Sequence, residues 1–169
     1  YDVERTRAAR DILTRLGTPF VIHQPKYSML QRTPEQGLLA LLAEEGIGCI
    51  VFSPLAQGLL TDRYLDGVPA DSRAASEHGA LPGDAVTPAV RDRIRRLGEI
   101  ARTRGQSIAQ LAIAWVLRHD AVTSALIGAS RVEQLEQNVA ALDNLALSGG
   151  ELDAIERVLE GDALATGAG

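Results

Sequence analysis

Three short apolar runs, each turning polar at its C-terminal end and separated by helix-patterned sequence, set the tightest limit on how this chain can fold. The first runs from Phe20 to Ile22 and ends in His23-Gln24. The second, "IGCIVF", stops at Ser53-Pro54, and the third, "SALIGA", leads into Ser130. Helices between successive strands imply parallel pairing through right-handed crossovers. The helix starts are marked as well. Asp2 can cap a helix with Ala8, Ala9, Ile12, Leu13 and Leu16 on one face, stopped by Gly17. Thr33 and Gln36 predict a capping box with Pro34 at the first helical position, ahead of Leu38, Leu39, Leu41 and Leu42. Thr87-Pro88 opens a helix that turns Val90, Ile94, Leu97 and Ala101 inward. Ser107/Gln110, Ser130/Glu133 and Ser148/Glu151 read as three further boxes. The helix after Ser130 is expected to turn Leu135, Val139 and Leu142 inward, and the last helix Leu152, Ile155 and Leu159. The predicted order is α-β-α-β-loop-α-α-β-α-α: one α/β domain over 1–169, with a long loop at 53–87 and a flexible tail at 161–169.

The 169 residues, 46% of them apolar, suffice for a real core and exclude general disorder. A net charge of −5 argues against a nucleic-acid or polybasic membrane partner. No apolar stretch reaches a bilayer span and no signal peptide is visible, so a cytoplasmic setting is expected. Cys49 is the only cysteine, which leaves no disulfide to staple the fold. Lys26 is the only lysine, so nearly all positive charge is arginine. That suits bidentate phosphate recognition, or reflects a GC-rich genome. The chain begins at Tyr1 rather than Met, which suggests a fragment or processed piece.

Parallel α/β folds place their chemistry at the C-terminal ends of strands. No G-x-G-x-x-G lies near a strand, so the ordinary dinucleotide crevice is disfavoured. At "GASRVEQLEQN", Gly128 allows close backbone approach, Ser130 heads a helix, Arg131 adds charge, and Gln134 and Asn138 follow at one-turn intervals. This reads equally as a phosphate cradle or as an ordinary capped helix with a solvated polar face. Gln24 can pair with a ligand carboxamide or be a satisfied strand end. Phe52 is a stacking platform or core. Arg63 and Arg73, on the long loop, can close over a polyanion or sit in solvent. His23, His78 and His119 share no metal spacing, and no metal site is expected. Nucleophile elbow, P-loop and H-E-x-x-H motifs are all absent. Lys26-Tyr27, being adjacent, does not converge as an acid/base pair, and mid-strand Cys49 reads as inert.

"IHQPKYSMLQR", "FSPLAQGLLTDRYLDGVPADSR" and "LIGASRVEQLEQN" together resemble the aldo-keto reductases, in the branch of bacterial L-glyceraldehyde 3-phosphate reductases related to potassium-channel β subunits. The resemblance covers essentially the whole chain. It implies the C-terminal part, the sixth to eighth strands and their helices, of a TIM (β/α)8 barrel that uses NADPH without a Rossmann motif. By the resemblance, Gln24 contacts the nicotinamide carboxamide and Phe52 stacks on the ring, without the hydroxyl or indole of relatives that carry Tyr or Trp. Ser53, Pro54, Leu55, Gln57 and Gly58 follow the pyrophosphate, and Arg63 and Arg73 clasp it. Gly128, Ser130, Arg131, Gln134 and Asn138 match the adenosine and 2′-phosphate site. Gln137 stands where relatives commonly carry a Glu that bonds the adenine amine. The family's catalytic Asp, Tyr, Lys and His have no counterpart here, so no catalytic residue is assigned and the piece alone is expected to be inactive. The complete enzyme would reduce a small aldehyde such as glyceraldehyde 3-phosphate or methylglyoxal. The alternatives are an NADPH-holding regulatory subunit or a fragment with no ligand. Three barrel strands leave two open edges and an uncovered interior, so either a missing N-terminal half or a homo-oligomer is expected to cover them.

Overall fold

The computed structural model describes residues 1–65, 67, 69 and 85–161. Among the described residues nine helices and strands follow one another, besides short 3₁₀ turns: α1 (Val3–Arg15), β1 (Ile22–His23), α2 (Leu38–Glu44), β2 (Gly48–Phe52), α3 (Pro88–Thr103), α4 (Ile108–Leu117), β3 (Ser124–Leu126), α5 (Val132–Val139) and α6 (Gly149–Glu160). The strands pair in parallel in the order β1-β2-β3. Ile22 lies against Gly48, and Ile50, Val51 and Phe52 against Ser124, Ala125 and Leu126. Isolated pairing continues past β1, where Lys26 bridges Phe52. The crossover pattern expected from the alternation is therefore present, with strands shorter than the apolar runs.

Strand periodicity divides the sheet into two unlike faces. Cys49 and Val51 are fully buried on the helical side. There they join one core with Leu39 and Leu42 of α2, Leu97 of α3, Leu111 and Trp115 of α4, and Ile155 of α6. Each such aliphatic side chain contributes roughly 1.5–3 kcal/mol by leaving water. Burial pushes the Cys49 thiol up to about 11. The opposite face carries Ile22, Ile50 and Leu126, and no described element covers it; Ile22 and Leu126 are about half exposed.

Several helix starts form as their sequences require. Asp2 caps α1 by accepting from the Arg5 amide at 2.8 Å, and Thr87 caps α3 with Pro88 in the first turn. Ser107/Gln110 and Ser148/Glu151 are complete capping boxes. Two expectations fail. Thr33 and Gln36 form no box, because Gly37 turns left-handed (φ 98°) and divides the segment into a 3₁₀ turn, Thr33–Glu35, and α2. Glu133 is not the partner of Ser130. Arg131 occupies the cap position of α5, and Gln134 reaches back one residue further to Ser130.

A third correction concerns burial. Leu135, Val139 and Leu142 are exposed rather than inward, as are Val132 and, on α1, Ile12 and Leu16. The α5 residue that is buried is Asn138. These apolar side chains lie at the two flanks of the sheet, next to β3 and β1, where no described element packs against them. The expected loose tail begins at the last described residue, Gly161, and otherwise lies outside the described residues.

Candidate functional site

The C-terminal ends of β2 and β3 open onto a groove of about 1360 Å³. Its floor begins at Phe52 and continues through Ser53, Pro54, Leu55, Gln57 and Gly58. Its far wall is Leu126 to Arg131, with Gln134, Gln137 and Asn138 of α5. Thirteen of the fifteen residues singled out in the sequence thus line one space: Phe52, Ser53, Pro54, Leu55, Gln57, Gly58, Arg63, Gly128, Ser130, Arg131, Gln134, Gln137 and Asn138. Gln24 is not in that lining. It is exposed on the open sheet face that Phe52 shares, two residues before the Lys26–Phe52 bridge. Arg73 lies outside the described residues, as does His78.

The backbone where β2 empties into the groove is unusual. Ser53, Ala56 and Gln57 all hold left-handed φ values, 55°, 47° and 60°, followed by Gly58 at 98°. Non-glycine residues rarely adopt this region, and each costs on the order of 1–2 kcal/mol. Surrounding contacts hold the bend. Ala56 and Gly58 donate to Ser53 and Leu55 carbonyls at 2.9 Å, and the Thr61 hydroxyl donates to the Gly58 carbonyl at 2.6 Å. Backbone strain of this kind clusters at functional sites in proteins generally. Gln57 keeps its Oε1 buried without a hydrogen-bond partner.

Across the groove, the Ser130 amide and hydroxyl both donate to Gln134 Oε1, at 3.1 and 3.0 Å. One amide oxygen thus occupies an acceptor position that an anion oxygen could take. Asn138 is only 8% exposed, and its side chain makes no hydrogen bond among the described residues. Its polar atoms are not sealed from solvent, so the amide is free to donate and accept in the groove. Arg63 and Arg131 contribute positive charge and Asp62 one carboxylate.

Sequence reasoning missed one wall. Ser107, Ile108 and Ala109, the start of α4, also line the groove. The Gln110 amide nitrogen donates to the Gln137 carbonyl at 2.9 Å and fastens that start to α5. The Ser107/Gln110 box marked the helix start, but nothing local indicated that it would meet α5.

Behind the floor lies a polar cluster the sequence did not announce. Phe52 donates its amide to the Pro25 carbonyl at 3.0 Å and accepts from the Tyr27 amide at 3.2 Å. The buried Tyr27 hydroxyl donates to Glu35 at 2.6 Å and accepts from Arg118 at 3.0 Å. Arg118 also donates to Glu35 at 3.1 Å and stacks 3.7 Å over the Trp115 ring. Arg32 joins Glu35 to Glu156 of α6. Burial alone would raise the Glu35 carboxyl, but hydrogen bonds from Tyr27, Arg32 and Arg118 outweigh it and hold it below the usual range. Burial, with the Glu35 hydrogen bond, raises the Tyr27 phenol above its ordinary range. A phenol so placed is a fixed structural donor, not an acid poised near neutral pH. Among the described residues no cluster of His, Cys, Asp and Glu is arranged to hold a metal, and no helix is long and apolar enough to cross a membrane.

Fold and groove together define an α/β protein that offers an extended polar cleft at the C-terminal ends of parallel strands. The aldo/keto reductase family model matches residues 1–160, and the chain belongs to that family. It is 48% identical over 161 residues to the L-glyceraldehyde 3-phosphate reductase of Escherichia coli K12, covering 93% of this chain and 46% of that protein. It is 39% identical over 127 residues to a putative voltage-gated potassium channel subunit beta of Schizosaccharomyces pombe, covering 73% and 37%. The chain therefore spans about half the length of the curated relatives it matches. Among solved structures, the glycerol dehydrogenase AKR11B4 of Gluconobacter oxydans superposes with a TM-score of 0.75 at 22% identity, over 95% of this chain and 47% of that one.

Proposed function

We propose that this chain is the NADPH-binding part of an aldo-keto reductase that reduces small aldehydes, and that its strands are the sixth to eighth of a (β/α)8 barrel. The observation that carries the reading is the groove, whose walls bring together a flat aromatic, a strained backbone bend, two arginines and the amides of Gln134, Gln137 and Asn138. An elongated, polyanionic nucleotide needs those features in that order. Phe52 would support the nicotinamide and Gln24, on the same sheet face, would reach its carboxamide. The 53–58 bend and Arg63, with Arg73 from the loop, would hold the pyrophosphate. Ser130, Arg131 and Gln134 would take the 2′-phosphate, which would displace Gln134 Oε1 from the Ser130 donors. Asn138 and Gln137 would meet the adenine.

When bound, the cofactor supplies a hydride; the residues of this chain bind and orient it. The proton donor would come from outside this sequence, so residues 1–169 alone are expected to be inactive. A cytoplasmic setting goes with this reading. A second reading, an NADPH-holding regulatory subunit, is favoured by the similarity to the channel β subunits. NADPH titration of the full-length protein, followed by nicotinamide fluorescence, tests the binding. Steady-state oxidation of NADPH with methylglyoxal or glyceraldehyde 3-phosphate separates the two readings. Binding without turnover supports the regulatory one, and absence of binding overturns both.

A further inference from the structure

Lys26 has no place in the groove just described, yet its backbone is firmly fixed. Its two neighbours are hydrogen-bonded to the main chain of Phe52, through the Pro25 carbonyl at 3.0 Å and the Tyr27 amide at 3.2 Å. Lys26 itself is the register partner of Phe52. Burial alternates strictly along this segment: His23, Pro25 and Tyr27 are buried, while Gln24 and Lys26 are exposed. Lys26 therefore projects on the open face, beside Phe52 and away from the helices. It does not line the groove, which starts at Phe52 and runs toward β3 and α5. It stands on the other flank of the ring.

The company Lys26 keeps is almost entirely uncharged. Ile22, Gln24, Ile50, Phe52, Ser124 and Leu126 share its face, and Lys26 alone among them is charged. Its ammonium has no salt bridge or hydrogen bond to any described residue. The nearby arginines are committed elsewhere: Arg32 and Arg118 are tied to Glu35 on the buried side. A flexible, compact cation with three rotatable donors suits a small mobile anion better than a fixed planar contact does.

We infer that Lys26 selects the substrate: it is the anchor for an anionic group, phosphate or carboxylate, on a short aldehyde whose carbonyl lies over the nicotinamide that Phe52 supports. The inference rests on the proposed reading of Phe52 as the nicotinamide platform. With the nicotinamide resting on Phe52, the acceptor meets it on the face away from Phe52, and among the described residues of the open sheet face Lys26 is the one charge. A neutral aldehyde gains nothing from it, so Lys26 acts on specificity rather than on the hydride step.

The test uses the full-length protein and its Lys26→Met and Lys26→Arg variants. Three aldehydes are compared: glyceraldehyde 3-phosphate, glyoxylate as the carboxylate, and methylglyoxal as the neutral control. Binding of glycerol 3-phosphate, which cannot be reduced, is measured by calorimetry on the NADPH complex. Lys26→Met is expected to lower kcat/KM for at least one anionic aldehyde by about tenfold, the loss of one charge-assisted hydrogen bond. Methylglyoxal turnover and the Kd for NADPH should stay within about twofold, and Lys26→Arg should recover part of the loss. Which anionic substrate responds identifies phosphate or carboxylate as the partner. A uniform loss on all three aldehydes, no loss on any, or weakened NADPH binding would each overturn the inference while leaving the reductase reading intact. If the wild type binds NADPH but reduces nothing, the calorimetric arm decides: unchanged glycerol 3-phosphate binding in Lys26→Met overturns it. Wild-type protein that fails to bind NADPH removes the platform and the inference together.

Discussion

Ser53, Ala56 and Gln57 sit in a conformation that disfavours every residue but glycine and, less strongly, asparagine. The sequence places none of these there, so the bend is held by its surroundings rather than by local preference. Ser53→Gly should relieve this and raise stability by about 1 kcal/mol. Because it also frees the bend, NADPH affinity should fall; paired thermal melts and titrations would show the opposite signs. Asn138 makes the converse case. Its amide makes no hydrogen bond among the described residues, so Asn138→Ala should leave the melting temperature nearly unchanged while weakening NADPH about tenfold, as expected for one hydrogen bond lost to a ligand. A melt that drops as far as affinity does would mean Asn138 is structural.

Among the elements, the link between β1 and its neighbours carries the pH dependence. His23 is buried, with Nδ1 unpartnered and Nε2 3.3 Å from the Thr6 hydroxyl of α1. Burial holds its pKa below the ordinary 6.5. The unfolded chain therefore binds that proton first, and stability present above pH 6.5 is lost as pH falls toward the folded value. Glu35 has the same sign lower down: its stabilisation is full above about 4.5 and is lost as pH falls through its depressed pKa. Melting temperature should decline in two stages on acidification, and His23→Asn should remove the first; a single stage unaffected by that variant would refute it.

How far such elements could be read in advance varied with the range of their causes. The capping boxes at Ser107 and Ser148 were legible because both partners lie within four residues. The parallel order was legible because a helix between strands leaves little else. Gly37 defeated the box expected at Thr33, since a left-handed glycine interrupts a helix whatever its flanking signals. The Tyr27–Glu35–Arg118 cluster could not be foreseen, because its partners lie as far as 91 residues apart. The individual groove residues came from motif resemblance; chemistry alone left each balanced between a site and an ordinary surface. Thr123 is a smaller omission: its amide and hydroxyl zip β2 to β3 through Cys49 at 2.8 and 3.1 Å.

For the whole molecule, the telling feature is where apolar surface remains. Ile12, Leu16, Val21 and Ile22 crowd one flank, and Leu126, Val132, Leu135, Val139 and Leu142 the other. Isolated exposed aliphatics are ordinary, but groups of them beside both edge strands of a parallel sheet are the kind of surface another element covers. Produced alone, residues 1–169 should bind a hydrophobic dye strongly and self-associate on gel filtration. Leu135→Glu with Val139→Lys should reduce that association, since both lie on one flank. A monodisperse, dye-silent monomer would show that the exposed flanks are tolerated in water.

The solitary thiol has a practical implication. Cys49 faces inward between β2 and the helical layer, so the sulfur is shielded on the side opposite the open sheet face. A thiol so placed is spared hemithioacetal formation and alkylation by electrophiles in the surrounding solvent. The same shielding turns Cys49 into a built-in clock, because iodoacetamide can reach it only as fast as the scaffold breathes open.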